Sequence, residues 1–459
     1  MSGDGGGGGG AAEGPDATTY TAVIDAYARS TAKDAAKKAE RILFRMMDEA
    51  EEAANLEKSG LPSGAGAAGS VLPNSVTCDA VLNAWARRSN REGAERAEKI
   101  LERMERLQER GASGSGNDIR PTAYSYATVV SAWAHSGGGG EAAERAEAHL
   151  NKMLARAGGE DDDDDDDARP NAVVFNAVID AWSRSRDPRA GEKAEEILAK
   201  MERHGVEPDV ITYNSVINAW AASGHLKAAS NAEAIFECMM KGGEREGLVP
   251  TVRTYNSLLK AWSRSKLPGS ARRVDEILRG MLGEGKGPFG DDNANDDDGK
   301  TAPRPVRPDV VSFSTALNAW AKSDEPLKAR MAFSLLERMI EFHMKSDNDK
   351  ALPNAVCYNA VLNACAFSAS SPDAEERKDA LLVAVKTLQD MRAGGFADPD
   401  QVTYAQMLKC VANLVPPGET RDKMATNLLG RCRDEGMVSR EVLTEIRRAA
   451  SPGALEGLL

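Results

Sequence analysis

Aromatic side chains make up only 5% of this 459-residue chain. So small a stock argues against one large packed core, and the abundance of Ala, Gly and charge fits a stack of small helical units better. Cysteine is scarce too, with six residues, no C-x-x-C pair and no histidine at metal-ligand spacing. Neither a zinc site nor a disulfide scaffold is indicated, and no metal or cofactor is expected. The five histidines, His135, His149, His204, His225 and His343, are scattered. No H-x-E with C-x-x-C signature and no paired carboxylates outside acidic runs point to catalysis, so no catalytic residue is expected. No apolar run approaches the roughly 20 residues of a membrane span, so no membrane partner is expected. Residues 1–16 read as a disordered Gly-rich N-terminus, with the pattern of neither a secretory leader nor an Arg- and Ser-rich transit peptide.

Net positive charge is also missing, at −13. Glu160 with Asp161–Asp167 supplies eight of those negative charges, and Asp291, Asp292, Asp296, Asp297 and Asp298 the other five. The remaining chain is neutral, so the placement of its cations matters more than their sum.

What the chain does have is a repeat. The stretch V-I-T-Y-N-S-V-I-N-A-W, Val210 to Trp220, recurs nine times, starting at Ala17, Ser75, Ala123, Ala172, Val210, Val252, Val310, Ala355 and Gln401. All six tryptophans (Trp85, Trp133, Trp182, Trp220, Trp262, Trp320) stand at its eleventh position. At roughly 100° per residue, positions 4, 7, 8 and 11 form one apolar face of a helix. Position 10 is alanine in eight copies, small enough for a neighbouring helix to approach closely. Positions 2, 5, 9 and 13 share the opposite arc, polar or basic except at position 2, which is usually Val or Ile.

A second helical pattern follows each copy, marked by Ala and Met seven residues apart, as in Ala39/Met46, Ala97/Met104 and Ala194/Met201. That spacing is two turns, which makes the Met row core packing. Cys78, Cys365 and Cys432 replace Tyr, Trp and Met at core positions and are expected to be buried. Pro followed by Asp, Asn or Thr then punctuates each unit, as in Pro208-Asp209: proline cannot continue a helix, and the polar residue caps the next. Insertions near 59–71, 111–119, 158–168 and 285–305 occupy one point of the repeat and are expected to be disordered. Nine such hairpins make an all-α solenoid over 17–440, followed by a helical tail over 441–459.

The pattern T-Y-N…A-W-x-x-S…A-x-x-I-L-x-x-M…G-x-x-P-D, seen in Thr212–Ser223 and Ala194–Asp209, resembles the pentatricopeptide repeat family. The resemblance covers residues 17 to about 440; the insertions, the position-11 Trp and Cys78-Asp79 in place of Tyr-Asn depart from it. It implies a right-handed α-solenoid that binds single-stranded RNA without catalysing a reaction, one base per repeat. Position 5 and the last residue of each repeat would read the base: Thr21 with Asn74, Asn176 with Asp209, Asn214 with Thr251, Asn256 with Asp309, Ser314 with Asn354, and Asn359 with Asp400. Asp79 with Thr122, Ala127 with Asn171, and Ala405 with Arg440 would be poor readers. By the family's rule the site is A-N-N-U-Y-U-A-U-N. Val76, Val173, Ile211, Val311, Val356 and Val402 at position 2 would pack on base faces, with Tyr124 and Arg253 as departures. Arg29, Arg87, Arg184, Arg264 and Lys322 at position 13 form a basic row beside them, where phosphates would run. The resemblance also implies work on organellar transcripts, in mitochondrion or plastid, affecting processing, stability, splicing or translation. The alternative is a solenoid scaffold for protein partners.

Overall fold

The computed structural model describes residues 17–30, 32–58, 73–109, 119–157, 169–241, 248–284, 306–346, 348–394 and 396–456. Residues 1–16 and the insertions at 59–71, 158–168 and 285–305 lie outside them, as does most of 111–119. Ile119, placed in that insertion by sequence, is instead 1% exposed and part of the packed structure.

Among the described residues there is no strand. The first unit, Met1–Ser223, contains α1 (Ala17–Arg29), α2 (Ala35–Lys58), α3 (Ser75–Ala86), α4 (Arg91–Glu109), α5 (Ala123–Ala134), α6 (Gly139–Ala157), α7 (Ala172–Ser185), α8 (Ala190–Arg203) and α9 (Val210–Ser223). The second, Gly224–Leu459, contains α10 (Ala228–Lys241), α11 (Val252–Arg264), α12 (Ser270–Leu282), α13 (Val310–Lys322), α14 (Lys328–Ser346), α15 (Ala355–Phe367), α16 (Ala374–Gly394), α17 (Gln401–Leu414), α18 (Glu419–Asp434), α19 (Arg440–Ala449) and α20 (Pro452–Leu455). The odd helices up to α17 open on position 1 of each copy and are the A helices; α2 to α18 of even number are the B helices. Each unit is a helical solenoid in which an A helix packs on its own B helix and on the A helices before and after it.

The periodicity explains the packing. In the fourth repeat Phe175, Val178, Ile179 and Trp182 of the A helix meet Ala194, Ile197 and Met201 of the B helix, all fully buried. Burying each large aliphatic or aromatic side chain contributes about 1.5–3 kcal/mol. The Ala/Met pairs are buried throughout, and so are Cys78, Cys357, Cys365, Cys410 and Cys432; Cys238 is exposed. The residue after each proline is an N-cap: Asn74, Thr122, Asn171, Thr251, Asp309, Asn354 and Asp400 all sit in extended backbone and accept from an N–H of the following first turn.

Successive B helices are tied at their surface by ion pairs. Glutamates one residue after the core alanine reach the next B helix, as in Glu40 with Arg96 (3.2 Å), Glu98 with Arg145 (3.0 Å) and Glu147 with Lys200 (3.0 Å). The same glutamates accept from tryptophan: Trp182 Nε1 donates to Glu147 (3.2 Å), Trp220 to Glu195 (2.7 Å) and Trp262 to Glu233 (2.9 Å). Trp85 and Trp133, whose buried Nε1–H has no such acceptor, lie instead under the guanidinium groups of Arg88 (4.7 Å) and Arg145 (4.9 Å).

The tail, too, is helical. Helix α19 packs on α17 as one A helix packs on the next, with Ser439 as its N-cap, accepting from Val442 N–H at 3.3 Å. Ser439 thus takes the capping place that the residue after proline takes at the earlier A helices, and Arg440 is the first residue of α19.

Candidate nucleic-acid interface

Positions 2, 5, 9 and 13 lie on one side of the A helix, opposite the apolar stripe, although Ala127, Asn214 and Ala405 at position 5 are buried. Position 2 is solvent-exposed: Val76, Val173, Ile211, Val311, Val356 and Val402 expose between 50% and 68% of their surface. In six of the nine repeats an aliphatic side chain thus stands in water, where packing of the hairpin makes no use of it. In the third repeat the place is taken by exposed Tyr124, whose hydroxyl accepts from Asn83 Nδ2 at 2.9 Å and so holds the ring across the same face.

Beside this row, three repeats build the same polar cluster. Asn176 Nδ2 donates to Asp209 Oδ1 (3.2 Å), Asn256 to Asp309 (3.1 Å) and Asn359 to Asp400 (3.1 Å). Each aspartate is at once the N-cap of the next A helix, taking the N–H of Thr212 (2.7 Å), Ser312 (2.9 Å) and Thr403 (2.8 Å). Burial alone would raise the Asp400 pKa, but the bonds given by Thr403 and Asn359 outweigh it and hold the carboxyl below its usual range. The group stays ionised and acceptor-only at neutral pH. Each asparagine is partly exposed, so an amide N–H and a carboxylate stand side by side at the surface of one repeat after another.

The other pairs differ. Thr21 reaches Asn74 through a third side chain: its hydroxyl meets that of Thr77 (2.9 Å), which donates to Asn74 Oδ1 (2.7 Å). Ser314 and Asn354 are not joined: Ser314 Oγ donates back to Val311 O (3.2 Å), while Asn354 caps α15 through Cys357 N (3.2 Å). The third position of that next helix is cysteine, so no hydroxyl bridges them. Asn214 is 8% exposed and belongs to the first unit; Thr251 belongs to the second and caps α11 through Thr254 N–H. In the second repeat Asp79 accepts from Ser125 Oγ at 2.6 Å, and burial raises its pKa to about 6 against the pull of that bond.

The basic row is less uniform than its spacing predicts. Arg29 pairs with Asp25 (2.8 Å) and Arg184 with Asp180 (2.6 Å), each one turn back on its own helix, and Arg87 reaches the Ala28 carbonyl at 3.5 Å. Arg264 and Lys322 are exposed and line one open cleft of about 700 Å³ between neighbouring A–B turns, with Ser263, Ser265 and Ser323. Sequence reasoning missed two cations at position 9 of this face, Lys260 and Lys409. Lys260 lies close enough to Arg264 for their charges to interact, and Lys409 sits 4.2 Å from the centre of the Phe367 ring.

Among known families, the pentatricopeptide repeat domain profile matches residues 161–223 and 196–264, two overlapping windows that take in α7 to α11. These are pentatricopeptide repeats. No curated protein matches the chain in sequence. Among solved structures, the pentatricopeptide repeat protein PPR10 in complex with an 18-nt psaJ RNA element is 20% identical with TM-score 0.39, over 96% of this chain and 52% of that one. PPR10 from maize is 18% identical with TM-score 0.39, over 95% of this chain and 62% of that one. The chain thus spans roughly half the length of the RNA-bound protein. In pentatricopeptide numbering, the asparagines of the three polar clusters stand at position 5 and the aspartates close the repeat.

Proposed function

We propose that this chain binds single-stranded RNA, one base per repeat, on the face formed by positions 2, 5, 9 and 13 of its A helices. The observation that carries the reading is the recurrence of one cluster, an amide N–H beside a carboxylate, in the fourth, sixth and eighth repeats, with an exposed valine at position 2 of the fourth and eighth and Arg253 in that place in the sixth. A donor and an acceptor side by side complement a pyrimidine edge, and an aliphatic side chain covers a base face. Asn176 with Asp209, Asn256 with Asp309, and Asn359 with Asp400 then select U, and the full site reads A-N-N-U-Y-U-A-U-N. Arg264, Lys322, Lys260 and Lys409 supply phosphate contacts. The protein acts by binding, not by catalysis, on transcripts of mitochondrion or plastid, where occupancy of the site affects their processing, stability, splicing or translation.

Selection from a random RNA pool tests this directly. Enriched sequences should carry U at spacings of two, matching the fourth, sixth and eighth repeats. A pool with no enrichment at all contradicts the reading and favours a peptide-binding scaffold.

A further inference from the structure

The asparagine of each cluster makes a second bond that the reading above does not use. Its Oδ1 faces the side-chain hydroxyl at the third position of the following A helix: Thr212 to Asn176 at 2.7 Å, Ser312 to Asn256 at 2.6 Å, and Thr403 to Asn359 at 2.8 Å. All three hydroxyl residues are fully buried, whereas the asparagines are partly exposed. A carboxylate can only accept, so the amide end against Asp209 must be the nitrogen and the other end the oxygen, which shares the Thr212 hydroxyl proton with Asp209 Oδ1 (2.9 Å), as happens for Ser312 with Asp309 (3.0 Å) and Thr403 with Asp400 (2.8 Å). Turning the amide over would set oxygen against carboxylate and lose the bond to the aspartate, leaving only the contact with the hydroxyl.

We propose that Thr212, Ser312 and Thr403 are specificity-determining positioning residues: each locks the amide of the preceding repeat with its N–H end toward the RNA, so that base choice is set by three side chains and not two. This rests on the base-reading proposal. The seventh repeat provides the contrast within the same chain. There the third position is Cys357, no hydroxyl is present, and Ser314 turns to its own helix. In the second repeat the same lock works on an acid, with Ser125 donating to Asp79.

The test uses the full chain and nine-nucleotide RNAs that differ only at the fourth base. Thr212→Val removes the hydroxyl at nearly constant volume, and the affinity ratio of U over C at that base should fall about tenfold, as loss of one buried hydrogen bond implies. The ratio at the sixth base should not move, which a general loss of folding could not produce. Thr212→Ser should keep the wild-type ratio. Asn176→Ala separates the two layers of the argument. If Asn176→Ala flattens the fourth-base ratio and Thr212→Val does not, the lock is refuted and base reading stands. If Asn176→Ala leaves the ratio intact, the reading of that repeat fails and the lock with it. A gain-of-function variant gives an independent answer: Cys357→Thr added to Ser314→Asn with Asn354→Asp should raise the U over C ratio at the seventh base about tenfold above the double variant. Equal ratios overturn the proposal.

Discussion

Asp79 shows how one residue departs from its counterparts and what that does. It stands at position 5, where four other repeats carry asparagine, and burial pushes its pKa up to about 6. The unfolded chain gives up that proton near pH 4. Between about pH 4 and 6 the folded form therefore holds the extra proton, so stability falls as pH rises through this window and stays reduced above it. Asp79→Asn keeps an acceptor for Ser125 and removes the charge. It should raise the Tm at pH 7.5, by a stabilisation on the order of 2 kcal/mol, and the gain should vanish near pH 4; thermal melts at the two pH values check it. Asp400 runs the other way. Its lowered pKa makes it a stabilising carboxylate above about pH 4, whose contribution is lost as pH falls. At this scale the sequence is a good guide to which position-2 side chains are exposed and a poor one to the partners of the residues beside them. Asp25 and Asp180 lie four residues before Arg29 and Arg184, and that helical spacing announces the ion pairs which draw these arginines away from a free basic row. The bond between Asn176 and Thr212 has no such signal, because it joins two hairpins whose relative register only the packing defines.

The hairpin itself was legible from its periodicity. Apolar positions at helical spacing, the alanine at position 10 and the Pro-polar punctuation mark where each A helix opens and which face it buries. The start of α19 was harder to place, since Val438-Ser439 lacks the proline and only the cap geometry of Ser439 sets it. How one hairpin meets the next also depends on side-chain size at single sites. Gly191 takes a place on α8 where other B helices carry alanine, such as Ala94 and Ala143, because Trp220 lies flat against it. A Cβ there would come within 2.2 Å of the indole. Gly191→Ala should therefore destabilise the first unit by about 1–3 kcal/mol, the usual penalty for overpacking, despite alanine's better helix propensity. Chemical denaturation measures it, and an unchanged or raised midpoint would show that Trp220 moves aside freely.

For the molecule as a whole, charge and recognition are kept on different surfaces. The B helices consume much of their Lys and Arg in ion pairs with one another, so their cations are not available to a polyanion. The A-helix face is sparsely basic, and two of its arginines, Arg29 and Arg184, are each already paired with an aspartate of their own helix. Affinity should consequently lean on base contacts more than on phosphates, and specificity should be concentrated in the repeats with the asparagine–aspartate cluster. The direct measurement is a binding titration with A-N-N-U-Y-U-A-U-N RNA, with U placed at the second and third bases, in which each U is changed to C in turn. The account predicts a loss of about tenfold for each change at the fourth, sixth and eighth bases, in keeping with about 1–3 kcal/mol per specific contact, and little effect at the second and third. Equal affinity for all of these RNAs would contradict it.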